Sequence, residues 1–143
     1  MIRKATINDA EQLMSLNDEF NGSGETTIEN IRNSLSENCR EVVIVNDDQG
    51  VLNGFVCVQL KKSFCYDHYM PEITEVYVRP ENRRQGIAGR MIRFAEEYCC
   101  RNYSLHRFEI LTGENNHTAQ LVYDKLGYKN DHELHLSKRI YNK

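Results

Sequence analysis

The sequence predicts an α/β protein built around one mixed sheet, and three observations point to this class. Short apolar runs of strand length recur along the chain. Between them lie longer segments whose apolar residues recur every three or four positions, as in amphipathic helices. The predicted order is β-α-α-β-β-β-α-β-α-β, and helices that connect strands of one sheet act as crossovers. We therefore expect helices to cover both faces of the sheet.

The N-terminal part predicts one strand and two helices. "IRKAT" (2–6) has the pattern of a short strand, and Asn8 or Asp9 can cap the helix that follows. "NGSGE" (21–25) ends this helix, after which Thr26 or Thr27 can cap a second one. The apolar positions at helical spacing are Ala10, Leu13 and Met14 in the first helix, and Ile28, Ile31 and Leu35 in the second.

The middle of the chain predicts a hairpin followed by a central strand. "EVVIVND" (41–47) and "LNGFVCVQL" (52–60) flank the turn "DQG". "EITEVYV" (72–78) is the third strand of this group.

The C-terminal part alternates helices with strands. Residues 86–102 form the strongest helix, since its apolar residues fall on one face. A strand is predicted at 107–112 and a helix at 116–126. "HELHLSKRI" (132–140) has the alternating pattern of a final strand.

Length and charge exclude several classes of function. The chain has 143 residues and a net charge of −3 at pH 7, so nothing attracts it generally to nucleic acid or to anionic membranes. No apolar run approaches the length of a transmembrane span, and the N-terminus has no apolar signal segment. We expect residues 1–143 to form one cytoplasmic domain with no nucleic-acid or membrane partner.

The cysteines and histidines predict neither disulfides nor a metal site. The five cysteines are odd in number and lack metal-ligand spacing, and the five histidines form no ligand cluster. We expect reduced thiols and no bound metal. The cysteines are Cys39, Cys57, Cys65, Cys99 and Cys100.

The turn "RRQGIAG" (83–89) carries the most specific local signal. A helix start favours acidic residues, yet two arginines precede this helix and Arg90 lies in its first turn. Gly86 and Gly89 let a ligand approach the backbone, whose free N–H groups at a helix start bind anions. The pattern favours an anion site, and a plain glycine turn with solvated arginines is the alternative.

This turn resembles a signature of the GNAT superfamily of acyl-CoA-dependent N-acyltransferases. Arg83-x-x-Gly86-x-Ala88, directly after a predicted strand, is similar to the R/Q-x-x-G-x-G/A pattern of that family. Ala88 stands where glycine is more frequent, which is a conservative departure.

A second motif lies in register with the first. Asn116-x-x-Ala119-x-x-x-Tyr123-x-x-x-Gly127-Tyr128 is similar to the closing segment of the same family, with Tyr128 where phenylalanine is more frequent. The separation of the motifs and the order of elements both fit, so the resemblance covers essentially the whole chain. It implies a GNAT-like, largely antiparallel mixed sheet of six to seven strands flanked by about four helices.

The resemblance implies acetyl-CoA as co-substrate, with the coenzyme A pyrophosphate as the expected anion. Backbone N–H groups of the helix start would hold it, and the backbone of Val76 and Val78 would pair with the pantetheine arm like an added strand. The residues assigned to the co-substrate are Val76, Val78, Arg83, Arg84, Gln85, Gly86, Ile87, Ala88, Gly89 and Asn116.

Two residues are the candidates for catalysis of acetyl transfer to an amine. Tyr123, matched by position in the second motif, would protonate the departing thiolate; otherwise it is a core aromatic. Glu75 interrupts an apolar strand, where an unpaired carboxylate is costly, so it is the candidate base. Its alternatives are an ion pair with arginine or a charge facing the cleft. A backbone N–H near Val76 would stabilise the oxyanion.

The acceptor is predicted from two segments, "NDEFNGSGETTIEN" (17–30) and "CYDHYMPE" (65–72), which combine carboxylates with aromatics. Such a surface suits a polycationic amine such as an aminosugar or polyamine, and a solvated acidic rim is the alternative. The arrangement also resembles small aminoglycoside acetyltransferases of the superfamily, which implies an aminoglycoside-like acceptor. A protein N-terminal or lysine acetyltransferase and a non-catalytic acyl-CoA-sensing module also stay open, as do monomer and homodimer. The predicted acceptor residues are Glu19, Phe20, Tyr66, Tyr69 and Glu72.

Overall fold

The computed structural model describes residues 1–37 and 40–141, except for the side chain of Glu37. Five strands and four helices follow one another in these residues. The strands are β1 (Ile2–Lys4), β2 (Glu41–Asp48), β3 (Val51–Lys61), β4 (Met70–Val78) and β5 (Glu109–Ile110). The helices are α1 (Ala10–Asn21), α2 (Ile28–Glu37), α3 (Ile87–Asn102) and α4 (His117–Lys125), with short 3-10 turns at Ile7–Asp9 and Pro80–Asn82.

One mixed sheet carries the fold, in the order β1-β2-β3-β4-β5. The first four strands are antiparallel neighbours, and β5 runs parallel to β4. The hairpin between β2 and β3 turns at Gln49 and Gly50, which have φ values of 52° and 93°. A parallel neighbour needs a crossover, which α3 supplies between β4 and β5.

The sheet separates two hydrophobic cores. Alternate residues of β2 face opposite sides, so Val42 and Ile44 join the core beneath α3, and Val43 and Val45 join the core beneath α1. We call these the α3-side core and the α1-side core. Met91 of α3 and Leu16 of α1 are completely buried at their centres, and full burial of such a side chain contributes about 1.5–3 kcal/mol.

A β-bulge at Thr74 reverses the alternation of side chains along β4. Val58 is paired with Ile73 and Cys57 with Glu75, so Thr74 has no partner on β3. Ile73 lies in the α3-side core, and without the bulge Glu75 would share that face. With it, Glu75 joins Cys57 and Tyr77 on the face covered by α1 and α2.

The predicted elements are largely confirmed, and the predicted number of strands is wrong. The sheet has five strands, not six to seven. The predicted strand 107–112 pairs only at Glu109 and Ile110, and residues 132–140 form no strand. The C-terminal residues have strand pattern, yet the structure gives them no neighbouring strand to bond to, and pattern alone does not supply one.

Candidate active site

The start of α3 is a cradle of backbone N–H groups. Arg84 and Gly86 both have left-handed backbone, with φ values of 63° and 75°, and Gly86 is the N-cap residue. Ile87 is buried and fixes the helix start on the sheet. In the described part of the chain, Arg90 is the first residue of this helix start whose N–H donates to an earlier carbonyl, that of Gly86, at 3.1 Å. The N–H groups before it are available to an anion.

The arginines of the turn have different roles. Arg83 Nε donates to the Val78 carbonyl at 2.8 Å, and its guanidinium lies 5.8 Å from the centre of the Tyr77 ring. Arg90 Nη1 donates to the Gln85 carbonyl at 2.8 Å. Arg83 and Arg90 thus brace the turn, while the exposed Arg84 can meet a ligand with its guanidinium.

Next to this turn, β4 and β5 separate. They pair only at Glu72 with Glu109 and at Ile73 with Ile110. The edge of β4 beyond Ile73 has no strand beside it in the described residues. An extended chain could therefore lie between the two strands and bond to β4 as a strand does.

Main-chain N–H and C=O groups alternate in direction along β4, and those of two residues point toward this gap. Arg79 N donates to the Asn53 carbonyl of β3 at 2.9 Å. Because main-chain groups alternate in direction along a strand, those of Tyr77 also point to β3, and those of Val76 and Val78 point away from it. The Val78 carbonyl already accepts from Arg83. At the gap, the N–H and C=O groups of Val76 are therefore the ones that an extended ligand can bond to.

Tyr123 lies on α4, whose start is capped by Asn116. The Asn116 Oδ1 atom accepts from Ala119 N at 3.2 Å, so the side chain caps the helix through its oxygen. The Tyr123 ring packs half-buried on the α3-side core. Burial raises the pKa of its hydroxyl. A tyrosine hydroxyl is already protonated at neutral pH, and this shift keeps it so, as a proton donor requires.

Glu75 lines a cavity of about 170 Å³ between α1, α2 and the sheet. The cavity also exposes the carboxylate of Glu41, which accepts a hydrogen bond from Ser34 Oγ. Burial, and the charges of Glu41 and Glu75, raise the pKa of the Cys57 thiol well above its ordinary value. Cys57 is thus a neutral thiol between two carboxylates, and the cavity has an acidic floor.

Sequence reasoning missed Glu41 and Cys57 as neighbours of Glu75. Glu41 opens β2, and nothing local distinguishes it from an ordinary strand-end glutamate. These residues become neighbours through the register of the strands, because Val43 of β2 pairs with Cys57 and Cys57 pairs with Glu75. All three strands then present residues to the same face.

The predicted acceptor residues lie at opposite ends of β4. At its C-terminal end, Phe20 stacks on Tyr77 with ring centres 5.1 Å apart. The Glu19 carboxylate accepts from the Tyr77 hydroxyl and from Arg79, each at 3.0 Å. Glu19 and Phe20 therefore hold α1 on the strand.

At the N-terminal end of β4, Glu72 is paired with Lys61 at 2.9 Å. Tyr69 packs on Tyr103 with ring centres 5.1 Å apart. Tyr66 is exposed, 5.4 Å from the His68 ring. The structure thus forms two groups, one of Glu19 with Phe20 and one of Tyr66, Tyr69 and Glu72, and no single cluster.

An acetyl-CoA-dependent acyltransferase is the class that the fold and the cradle favour, and the comparison with family models supports it. The sequence model of the acetyltransferase (GNAT) family matches residues 9–128. The chain belongs to the GNAT family of acetyltransferases. Comparison with curated protein sequences gave no match.

Solved structures of the same fold include enzymes with different acceptors. An aminoglycoside acetyltransferase from an uncultured soil metagenomic sample, in complex with trehalose, has a TM-score of 0.85 at 16% identity, over 99% of this chain and 96% of that one. AAC(6')-Iy, in complex with a bisubstrate analogue of coenzyme A and monomethyl-acetylneamine, has a TM-score of 0.85 at 15% identity, over 99% and 98%. A ribosomal-protein-alanine N-acetyltransferase from Brucella melitensis biovar Abortus 2308 has a TM-score of 0.80 at 14% identity, over 97% and 99%.

Three further findings concern the described residues. No group of three or more His, Cys, Asp or Glu is placed there to hold a metal ion. No helix among them is long and apolar enough to cross a membrane. Cys57, Cys65, Cys99 and Cys100 are free thiols, and Cys39 lies outside the described residues.

Proposed function

We propose that this acetyltransferase transfers acetyl from acetyl-CoA to a primary amine of a small polycationic acceptor, an aminoglycoside or a polyamine. The observation that carries the proposal is the acidic cavity beneath Glu75. Two carboxylates, Glu41 and Glu75, line it, and both polar and apolar side chains of α1, α2 and the sheet complete its wall. Such a cavity suits an ammonium-bearing ligand that must be held before it reacts.

Acetyl-CoA fits the open turn at α3. A Cβ atom at Gly86 would lie 3.1 Å from Arg90 Nη1, and the φ of 75° there disfavours any side chain. The turn therefore keeps its backbone accessible for a phosphate group. The Val76 main chain would bond the pantetheine arm in the gap. Arg84, at the cradle, and Asn116, at the start of α4, would also contact the co-substrate.

Each proposed catalytic group has one role in the transfer. Bound acetyl-CoA supplies an activated thioester carbonyl, which the amine attacks directly. Glu75 holds the ammonium and accepts its proton, directly or through water. The Val76 N–H donates to the carbonyl oxygen as negative charge develops on it. The Tyr123 hydroxyl donates a proton to the sulfur as the carbon–sulfur bond breaks. The second proton that the nitrogen loses restores this hydroxyl, so a neutral amide and a neutral thiol leave.

The acceptor is proposed to be small because the two carboxylates among the predicted acceptor residues are already paired. Glu19 is neutralised by Arg79 and Glu72 by Lys61. Neither of these carboxylates is therefore left to hold a cation at the surface, whereas Glu41 and Glu75 both line the cavity. A cytoplasmic location agrees with four free thiols, which persist where the environment is reducing.

The test is acetyl transfer to a panel of amines under equal conditions. The panel contains an aminoglycoside, a polyamine, a peptide with N-terminal alanine and a peptide with one lysine. Loss of thioester absorbance is the readout, because the exposed Cys65 and Cys100 would react with thiol reagents. We expect kcat/KM for a polycation to exceed that for either peptide by about tenfold, or about 1.4 kcal/mol.

Two results would contradict the proposal. Faster transfer to the N-terminal alanine or lysine peptide would make the protein a protein acetyltransferase. Calorimetric binding of acetyl-CoA without turnover of any amine would favour the acyl-CoA-sensing module.

A further inference from the structure

One row of paired residues crosses four strands of the sheet and carries three carboxylates. Glu41 of β2 pairs with Gln59 of β3. Gln59 in turn pairs with Glu72 of β4, and Glu72 pairs with Glu109 of β5. Residues paired side by side in neighbouring strands point to the same face of a sheet, so these side chains share one face. We call these four residues the glutamate row.

The glutamate row begins at the proposed acceptor cavity and leads out of it. Glu41 lines the cavity together with Cys57 and Glu75, which are paired in the next row of the same face. Cys57 and Gln59 are two residues apart on β3, so the two rows are about 7 Å apart. The Gln59 side chain is exposed, so the row is open to solvent between Glu41 and Glu72. An acceptor whose reacting amine lies at Glu75 can therefore extend its other amines along the row.

A cation of the protein itself occupies the far end of the row. Lys61, two residues beyond Gln59 on β3, donates from Nζ to Glu72 at 2.9 Å and to Glu109 at 2.7 Å. The Lys61 side chain is 44% exposed, whereas those of Glu72 and Glu109 are 17% and 27% exposed. Arg107 Nη2 lies 3.3 Å from the other oxygen of Glu109. A primary ammonium is therefore already in place where a distal amine of the acceptor would meet these carboxylates.

Lys61 is protonated at neutral pH. Burial lowers the pKa of its ammonium, but the hydrogen bonds to Glu109 and Glu72 outweigh burial and raise the pKa above its ordinary value. An amine must lose its proton before it can attack a thioester. Lys61 is therefore a counter-ion of the two carboxylates and not itself an acceptor.

We propose that Lys61 determines the length of acceptor that the enzyme prefers, an inference that rests on the proposed function. Its ammonium neutralises Glu72 and Glu109 and repels a second cation that approaches them. Acceptors whose charges all fit in the cavity with Glu41 and Glu75 do not meet this repulsion. Longer polycations gain no attraction along the row, so Lys61 selects against them.

The neighbouring lysine has different partners and supplies the matched control. Lys62 Nζ donates to the main-chain carbonyls of Tyr66 at 2.7 Å and Ser63 at 3.3 Å. The same charge can thus be removed one residue away from Lys61 without freeing a carboxylate.

The experiment compares a short with a long acceptor that share the same reacting end, either putrescine with spermine or neamine with neomycin, whichever pair is acetylated. Lys61→Met keeps the length of the side chain and removes its charge and its donors. We expect the ratio of kcat/KM, long over short, to rise about fivefold, or about 1 kcal/mol, because an exposed ion pair contributes up to about this much. The rise should come from a lower KM for the long acceptor and should shrink as added salt screens the charges.

Three further variants define the cause of the rise. Lys62→Met should leave the ratio at its wild-type value. Adding Glu72→Gln and Glu109→Gln to Lys61→Met should return the ratio to that value, because the freed carboxylates are gone. Lys61→Gln is a second neutral variant and should give the same rise as Lys61→Met, with thermal unfolding as the check that each variant is folded.

Three outcomes would overturn the role of Lys61. These are an unchanged ratio in both folded Lys61 variants, an equal rise in Lys62→Met, and a rise that persists in the triple variant. In each of them, acetylation of the short acceptor would still support the proposed function. Absence of transfer to either pair by every variant would contradict the proposed function itself, and the inference on Lys61 would fall with it.

Discussion

At the scale of single residues, Glu75 is the side chain on which the proposed chemistry most depends. It pairs with Cys57 of the neighbouring strand β3 and shares a cavity with Glu41. An amine with a pKa near 10.4 arrives protonated, so a carboxylate at this position can bind the cation or accept its proton. The two roles differ in kinetics.

Glu75→Gln keeps size and hydrogen bonding and removes charge and basicity. If Glu75 is the base, turnover at neutral pH should fall by about 10²-fold and recover in part as rising pH deprotonates the amine in solution. The pH profile of kcat is the measurement.

The comparison variant is Glu41→Gln, which removes a charge from the same cavity without altering β4. It should act mainly on the KM of a polycationic amine. If Glu75→Gln likewise raises only KM, Glu75 binds the cation and is not the base.

Tyr123→Phe deletes one hydroxyl from a half-buried ring. The ring packing is kept, so stability and acetyl-CoA affinity should nearly persist, while turnover falls by about 10²-fold or more because the proton donor is lost. Single-turnover kinetics with an aminoglycoside or polyamine would measure this. Wild-type turnover in the variant would leave Tyr123 as a packing residue.

At the scale of elements, the join between β4 and α3 determines whether a phosphate can reach the backbone. The hydrogen bonds of Arg83 and Arg90 brace this turn without any ligand. Preorganisation of this kind limits the entropy lost on binding.

Gly86→Val should weaken acetyl-CoA binding by about tenfold or more, or about 1.4 kcal/mol. The added side chain would meet the Arg90 guanidinium and strain a left-handed residue. Gly50→Val is the matched control, since Gly50 also has left-handed backbone, with a φ of 93°, but lies in the turn between β2 and β3 and outside the cradle. Calorimetry on folded variants is the measurement, and equal affinity in both would remove the cradle.

At the scale of the whole molecule, one ion network joins β1, the start of α1 and β2. Arg3 donates to Asp9 at 2.8 Å and to Asp47 at 3.0 Å, and the Asp9 side chain is only 7% exposed. The hydrogen bond from Arg3 is the largest cause that holds the pKa of Asp9 below its ordinary value. Asp9 thus links folding stability to pH.

Because the pKa of Asp9 is lower in the folded than in the unfolded chain, its stabilisation is present above about pH 4, the unfolded pKa, and is lost as pH falls through the folded pKa. Asp9→Asn should lower the free energy of unfolding at pH 7 by about 2 kcal/mol. The variant should also lose less stability than the wild type between neutral and acid pH. Urea unfolding at both pH values would measure this, and parallel losses would exclude Asp9 as the linked group.

The sequence by itself determined the elements and the family. The hairpin, the central strand, α3 and α4 were predicted within two residues, because apolar periodicity and turn residues are local signals. The two motifs likewise identified the family that matches residues 9–128. The first of these motifs, with its arginines and glycines, lies within the seven residues 83–89.

Tertiary structure alone decided which side chains meet. The bulge at Thr74 turns Glu75 onto the face of Glu41 and Cys57, and no local pattern reports an unpaired residue in a strand. The sequence likewise gave 132–140 the pattern of a strand but no neighbour. Pairing joins residues far apart in the chain, so it depends on register and on which edges are free, and neither is written in the periodicity of a single segment.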